Sequence, residues 1–172
     1  MKTIVLLIGL KGSGKSLIGS LIEKNHHAKF VRVEDCAKGI KKERAVTDES
    51  YIREAFAAIE TGIRISLNTN DAIVFESTGL TVYFDRMLDS LKRDFRVIII
   101  NVYADPETCL TRVRTRCESI HINVSDNEVN EINSAVAQKN SAADFEIDNS
   151  TRSIKELSVE IDAIMRKIGL YS

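Results

Sequence analysis

Residues 9–16 read Gly9-Leu10-Lys11-Gly12-Ser13-Gly14-Lys15-Ser16 and match the phosphate-binding loop G-x-x-x-x-G-K-[ST] at every defining position. Three glycines in six residues let successive backbone N–H groups turn inward and form an anion-binding nest at a helix N-terminus. In that geometry Lys15 reaches the β- and γ-phosphates of a nucleotide, and the Ser16 hydroxyl is a ligand of Mg²⁺. The predicted nucleotide contacts are Gly9, Lys11, Gly12, Ser13, Gly14, Lys15, Ser16 and Leu17.

The sequence on both sides of this loop has the pattern that the motif requires. An apolar run at residues 3–8 is typical of a buried parallel strand, and a helical pattern follows the loop. Strand and helix patterns then alternate to the C-terminus, which favours a three-layer α/β fold with a mainly parallel sheet. Because no repeat, low-complexity tract or linker interrupts them, we expect one domain over residues 1–172.

The order of the predicted elements follows from their periodicity. Strands are predicted at residues 3–8, 29–34, 71–77, 96–103 and 145–148, and helices begin near residues 15, 48, 82, 105, 125 and 153. Between the second strand and the helix at residue 48 we expect a polar, basic connection, which contains Lys38, Lys41, Lys42 and Arg44. Apolar periodicity fails at residues 117–124, which are predicted to form a loop.

The composition is that of an ordinary soluble globular chain, with 172 residues of which 44% are hydrophobic and 28% charged. A net charge of -1 gives no overall bias toward nucleic acid or an anionic membrane. Cys36, Cys109 and Cys117 lack metal-ligand spacing, so we expect reduced thiols in a cytoplasmic protein. No secretory signal is expected, because Lys11 interrupts the first apolar run and no small-x-small cleavage site follows it. No membrane span is expected either, because no other apolar run approaches the ~20 residues that a span needs.

A phosphate loop close to residue 1, five predicted strands and an arginine-bearing helix that leads into a loop near residue 116 resemble the small P-loop kinases. These include adenylate, shikimate and gluconate kinases, and the nearest analogy is the polynucleotide-kinase and zeta-toxin-like group. The resemblance implies a P-loop NTPase fold with a five-stranded parallel sheet in the order 2-3-1-4-5. It also implies a short lid at about residues 117–125.

The same resemblance gives a function. GTPases of this loop class carry N-K-x-D to select guanine, and this chain lacks that sequence, which favours ATP. We therefore predict an ATP- and Mg²⁺-dependent kinase that moves the γ-phosphate of ATP to a small hydroxyl or phosphate acceptor, such as a nucleoside or nucleotide. A nucleic acid partner is not expected, although a 5'-hydroxyl end stays open, and the sequence does not give the oligomeric state.

An acidic pair at the end of the second predicted strand is the candidate for activating the acceptor. The carboxyl ends of parallel strands form the ligand-facing edge of such a sheet. In the polynucleotide-kinase-like group an aspartate at this place activates the acceptor hydroxyl, and Asp35 matches it. That group has an arginine three residues later, where this chain has Lys38, which keeps the charge but loses the bidentate fork.

Glu76 and two arginines complete the predicted site. Many kinases place an acidic residue near Mg²⁺ at the end of the third strand, and the acid here is Glu76, one position before the expected aspartate. That shift in register points a strand side chain to the other face of the sheet. Glu76 is therefore a candidate for the water shell of Mg²⁺, and Ser77 and Thr78 stay open as ligands through water. Arg112 and Arg116 match the arginines that lead into the lid and embrace the transferring phosphates, whereas Arg114 is expected to meet solvent.

A second hypothesis from a different class stays open at this point. The displaced Glu76 and the lysine at position 38 also suit an ATP-binding regulatory or accessory protein with weak ATPase activity. Such a protein would signal through lid movement to a protein partner. Asp35, Lys15 and the paired arginines favour the kinase.

Overall fold

The computed structural model describes residues 1–41, 43–45, 47–115 and 125–171. Its centre is a five-stranded sheet in the order β2-β3-β1-β4-β5, and every neighbouring pair is parallel. The strands are β1 (Thr3–Ile8), β2 (Lys29–Val31), β3 (Ala72–Ser77), β4 (Arg96–Tyr103) and β5 (Phe145–Asp148). The predicted fold class and strand order are therefore confirmed.

Seven helices within the described ranges connect and cover these strands. They are α1 (Lys15–Asn25), α2 (Val33–Lys41), α3 (Glu49–Thr69), α4 (Val82–Asp94), α5 (Pro106–Arg114), α6 (Asp126–Lys139) and α7 (Ile154–Ile168). No helix in the described part of the chain is long and apolar enough to cross a membrane.

The alternation of side chains along β1 explains the three layers. Every residue of β1 is buried, because the strand lies in the middle of the sheet with helices on both faces. Val5 and Leu7 point to one face and pack with residues of α1 and α7. Ile4 and Leu6 point to the other face and pack with residues of α3 and α4.

Side-chain caps fix where the helices next to the loop begin. The Asp105 carboxylate caps α5 by accepting from the Thr108 backbone N–H at 2.9 Å, and Pro106 takes the first helical position. The Thr108 hydroxyl also donates to this carboxylate, at 2.6 Å, and these hydrogen bonds lower the pKa of Asp105. Ser125 with Glu128 forms the capping box that starts α6.

The structure corrects one prediction. The second strand ends at Val31 rather than near residue 34, and residues 33–41 form α2 instead of a polar connection. The basic residues obscured a helical stripe: Val33 and Cys36 pack against the core on the α3 side, and Ala37 and Ile40 pack with buried Tyr51 of α3. Glu34 and Asp35 lie in the first turn of α2, where their charge complements the helix dipole.

Most of the predicted lid lies outside the described residues. Arg116 and residues 117–124 are not among the described residues, so their predicted roles stay predictions. Ser125, at the end of the predicted lid, is the N-cap of α6.

Candidate active site

The phosphate loop lies between β1 and α1 and is packed so closely that its glycines have no room for side chains. Gly12 and Gly14 have φ angles of +93° and +94°, in the left-handed region that favours glycine. A Cβ on Gly12 would lie 2.3 Å from the backbone oxygen of Cys109 in α5. A Cβ on Gly14 would lie 2.1 Å from Nδ2 of Asn149. The glycines therefore serve close packing as well as the backbone turn.

Lys15 is the first residue of α1 and is only 7% exposed. Its Nζ donates to the backbone oxygens of Gly9 at 3.0 Å and of Leu10 at 2.7 Å. These bonds hold the ammonium over the loop itself. A partly desolvated cation in this position has a strong attraction for a phosphate group.

Two buried asparagines that the sequence reasoning missed hold the loop from outside. Asn133 of α6 accepts from the Lys11 backbone N–H at 2.7 Å and donates to the Lys11 backbone oxygen at 3.1 Å. Nδ2 of Asn149, just after β5, donates to the Ser13 backbone oxygen at 2.8 Å. Both side chains are nearly buried, at 8% and 2% exposure. One available signal was Asn133, a polar residue four positions after the apolar Val129 of α6, on the same helix face.

Ser16 and Glu76 meet in the structure, since the Ser16 hydroxyl donates to Oε1 of Glu76 at 2.6 Å. The alternation along β3 explains the contact: Val74 packs on the α1 side of the sheet, and Glu76 two residues later points the same way. These oxygens are hard ligands, and Mg²⁺ is commonly held by one or two protein oxygens together with phosphates and water. The pair fits the predicted Mg²⁺ site.

A cavity of about 120 Å³ joins these groups to the first turn of α2. It is lined by Lys11, Gly12, Gly14, Lys15, Ser16, Val33, Glu34, Glu76, Ser77 and Thr78. Glu34 is half-buried and lines this cavity, whereas Asp35 is exposed and is not part of its lining. The predicted contact Leu17 is 40% exposed and does not line the cavity either.

Arg112 approaches the loop from α5. Its Nη2 donates to the Asn149 backbone oxygen at 2.8 Å, while its Nη1 is buried and has no hydrogen-bond partner within the described ranges. A Cβ on Gly14 would lie 3.8 Å from this Nη1. A buried guanidinium N–H without a partner costs free energy, which an anion at the loop would recover. Arg114 is instead exposed, as expected, and forms a salt bridge of 2.7 Å with exposed Asp126.

A second cavity, of about 230 Å³, lies under the C-terminal half of α6. Its lining comes from the ends of β1 and β4, the start of the phosphate loop and α6: Ile8, Gly9, Leu10, Thr78, Asn101, Val102, Tyr103, Pro106, Val136, Ala137, Asn140 and Ser141. Thr78 lines both cavities. We call the first the phosphate cavity and the second the α6 cavity.

The sheet order and the loop geometry define a P-loop protein with the fold of the small kinases. Residues 4–138 match a family model described as "AAA domain", and the chain belongs to that family. The chain is also 30% identical over 106 residues to a shikimate kinase of Clostridium botulinum. That match covers 59% of this chain and 61% of that protein, so the chain spans about three fifths of the curated relative.

Solved structures of small kinases share the fold over nearly the whole chain. The APS kinase of Mycobacterium tuberculosis, solved with AMPPNP and APS, has a TM-score of 0.67 at 16% identity and covers 96% of this chain and 98% of its own. A gluconokinase of Sinorhizobium meliloti has a TM-score of 0.67 at 15% identity, with 96% and 93% covered. The predicted resemblance to small P-loop kinases is confirmed.

Proposed function

We propose that this protein is an ATP- and Mg²⁺-dependent phosphotransferase that moves the γ-phosphate of ATP to a small hydroxyl or phosphate acceptor, such as a nucleoside or nucleotide. The observation that supports it best is the phosphate cavity, which brings Lys15, Ser16, Glu34 and Glu76 together. The named relatives are small-molecule P-loop kinases, which supports the same class of reaction. A cytoplasmic location is part of the proposal, because that compartment keeps thiols reduced.

The donor side of the reaction follows from the loop. Its backbone N–H groups and the N-terminus of α1 bind the phosphate chain of ATP. Lys15 exchanges the loop carbonyls for phosphate oxygens and neutralises the charge that spreads over the γ-phosphoryl oxygens in the transition state. Arg112 adds the N–H donors of Nη1 next to Gly14.

Ser16 and Glu76 would hold Mg²⁺, Ser16 directly and Glu76 directly or through water. When bound, the ion neutralises the β- and γ-phosphate oxygens and fixes their orientation. Arg116 would add a positive charge from the predicted lid, which stays a proposal from the resemblance.

The first turn of α2 supplies the base that accepts the proton of an acceptor hydroxyl. Asp35 was predicted for this role, and its neighbour Glu34 lines the phosphate cavity where Asp35 does not. We therefore favour Glu34 and retain Asp35 as the alternative. Either carboxylate suits the role, because it can accept a proton as the hydroxyl oxygen attacks.

The test is a measurement of ADP release with ATP, with and without Mg²⁺, in the presence of pooled nucleosides, nucleotides, sugars and 5'-hydroxyl oligonucleotides. We expect ADP release that requires Mg²⁺ and rises strongly with at least one pool. Slow ADP release at the same rate with every pool would contradict the phosphotransferase and favour the ATP-binding regulatory protein.

A further inference from the structure

We propose that the acceptor is an uncharged polyhydroxy molecule of about the size of a sugar, and that it binds in the α6 cavity. This inference rests on the proposed function and adds the chemical class of the acceptor. A volume of about 230 Å³ lies below the ~300–1,000 Å³ typical of pockets for drug-sized ligands.

The position of the α6 cavity suits an acceptor. Gly9 and Leu10 line it, and their backbone oxygens hold the Lys15 ammonium. Thr78 lines the α6 cavity and the phosphate cavity alike. An acceptor hydroxyl group that reaches past Thr78 would enter the phosphate cavity, which Lys15 lines.

The lining of the α6 cavity has the chemistry that binds hydroxyl groups. Its polar side chains are neutral amides and hydroxyls, from Thr78, Asn101, Tyr103, Asn140 and Ser141. Half-buried Asn101 has no side-chain hydrogen bond to another described residue, so its amide is available both to donate and to accept. Apolar Ile8 and Val136 complete the wall and suit the carbon skeleton of a sugar.

The charges next to the α6 cavity argue against an anionic acceptor. No charged side chain contributes to the lining among the residues that the structure describes. Lys139, at the end of α6, donates to the Gly79 backbone oxygen and pairs with Asp85 at 2.7 Å. A carboxylate or phosphate placed in the cavity would lose its hydration without gaining a cation from the described lining residues, which costs several kcal/mol.

The transfer step balances without a further reactant. The acceptor hydroxyl oxygen forms a bond to the γ-phosphorus, and the bond from that phosphorus to the β–γ bridging oxygen breaks. ADP leaves with the electron pair. The reacting hydroxyl group would extend past Thr78 into the phosphate cavity, where Glu34 accepts its proton and passes it to solvent.

Pairs of related acceptors in which one member carries a carboxylate or phosphate group provide the test: glucose and gluconate, glycerol and glycerate, and adenosine and adenosine 3'-monophosphate. Each pair keeps a primary hydroxyl group. We expect kcat/KM to be higher by about tenfold or more for the neutral member of every pair that reacts. The reason is that an anion buried without a partner loses at least about tenfold in affinity. A preference for the anionic members would overturn the inference and leave the phosphotransferase standing. No transfer to any member, with ADP release that rises with another pool, would overturn the inference alone. ADP release that no pool changes would overturn both.

Two substitutions on α6 test the location. Ala137 lines the cavity and is exposed, and Ala135 is exposed on the same helix outside the lining. Ala137→Arg should shift the ratio of anionic to neutral kcat/KM toward the anion by about tenfold, because a guanidinium pairs with carboxylate or phosphate. Ala135→Arg should leave the ratio unchanged. An equal shift in both variants, or none in Ala137→Arg, would place the acceptor elsewhere and overturn the inference.

Discussion

The donor and acceptor sides of the proposed active site are built in different ways. On the donor side the phosphate loop is held by backbone contacts, by a lysine at 7% exposure and by the buried amides of Asn133 and Asn149. On the acceptor side the groups are half-buried or exposed side chains, such as Glu34 on α2 and Asn101 in the α6 cavity. The phosphate loop is therefore held by buried contacts, while the proposed acceptor side consists of more exposed side chains on α2 and around the α6 cavity.

This difference indicates which residues can be substituted without disturbing the fold and which cannot. A single methyl group added to the loop collides with the backbone of α5, so the donor side admits little change. The acceptor lining can change residue by residue without moving a strand or a helix. We infer that the fold fixes the use of a nucleotide and that a few lining side chains select the acceptor.

The substitution Lys15→Ala breaks the donor side most severely. We expect kcat/KM for transfer to fall by about 10³-fold or more, because the charge on the transferring phosphoryl group loses its main protein cation. Steady-state ADP release with a reacting acceptor measures it. Lys24→Ala, at an exposed lysine in the last turn of α1, is the matched control and should keep full activity. Wild-type rates in Lys15→Ala would remove the loop from the mechanism.

Gly12→Ala tests whether close packing fixes the donor side. The added Cβ meets the Cys109 backbone oxygen at 2.3 Å, so the loop must shift, and we expect ATP affinity to fall on the order of 10²-fold for a strain of ~1–3 kcal/mol. Gly169 has a similar φ of +78° with nothing near its Cβ position. Gly169→Ala should lower thermal stability by ~1–2 kcal/mol and leave calorimetric ATP binding unchanged. Equal ATP affinities in the two variants would refute the packing argument.

On the acceptor side, Glu34→Gln and Asp35→Asn decide which carboxylate activates the acceptor. We expect Glu34→Gln to lower kcat by about 10²-fold with the KM for ATP nearly unchanged, because a general base contributes ~10²–10⁴-fold to the rate. Asp35→Asn should retain most of the activity, since Asp35 does not line the phosphate cavity. The reverse order of effects would return the role to Asp35.

Asn133→Leu has the smallest expected effect and tests whether Asn133 positions the phosphate loop on the donor side. It removes both hydrogen bonds to the Lys11 peptide, which should cost ~1–3 kcal/mol of stability and raise the KM for ATP by about tenfold. Thermal unfolding and initial rates measure the two quantities. Ser134→Ala, at the next and exposed position of α6, should change neither. A variant that loses stability but keeps the wild-type KM would show that Asn133 holds the fold and not the loop.

The sequence predicted the fold well and the position of the acidic pair at residues 34–35 poorly, for physical reasons. The phosphate loop is a local motif that can be read directly from the sequence. The alternation of strands and helices predicted the fold class, and the family resemblance predicted the order of the strands. The contacts of Asn133 and Asn149 join residues more than a hundred positions apart, and no local pattern contains them. The helix α2 was missed because its four charged residues are as many as the four apolar residues of its stripe. As a result, Glu34 and Asp35 were placed at a strand end instead of in the first turn of a helix.

The most direct test of the central claim follows the γ-phosphate of ATP itself. ATP labelled in its γ-phosphate is incubated with the protein, Mg²⁺ and the neutral acceptors, and the labelled products are separated. The account predicts that the label moves into a phosphate ester of an acceptor in equal amount to the ADP formed, and that chelation of Mg²⁺ stops the transfer. Label found only in inorganic phosphate, at a rate that no acceptor changes, would contradict it.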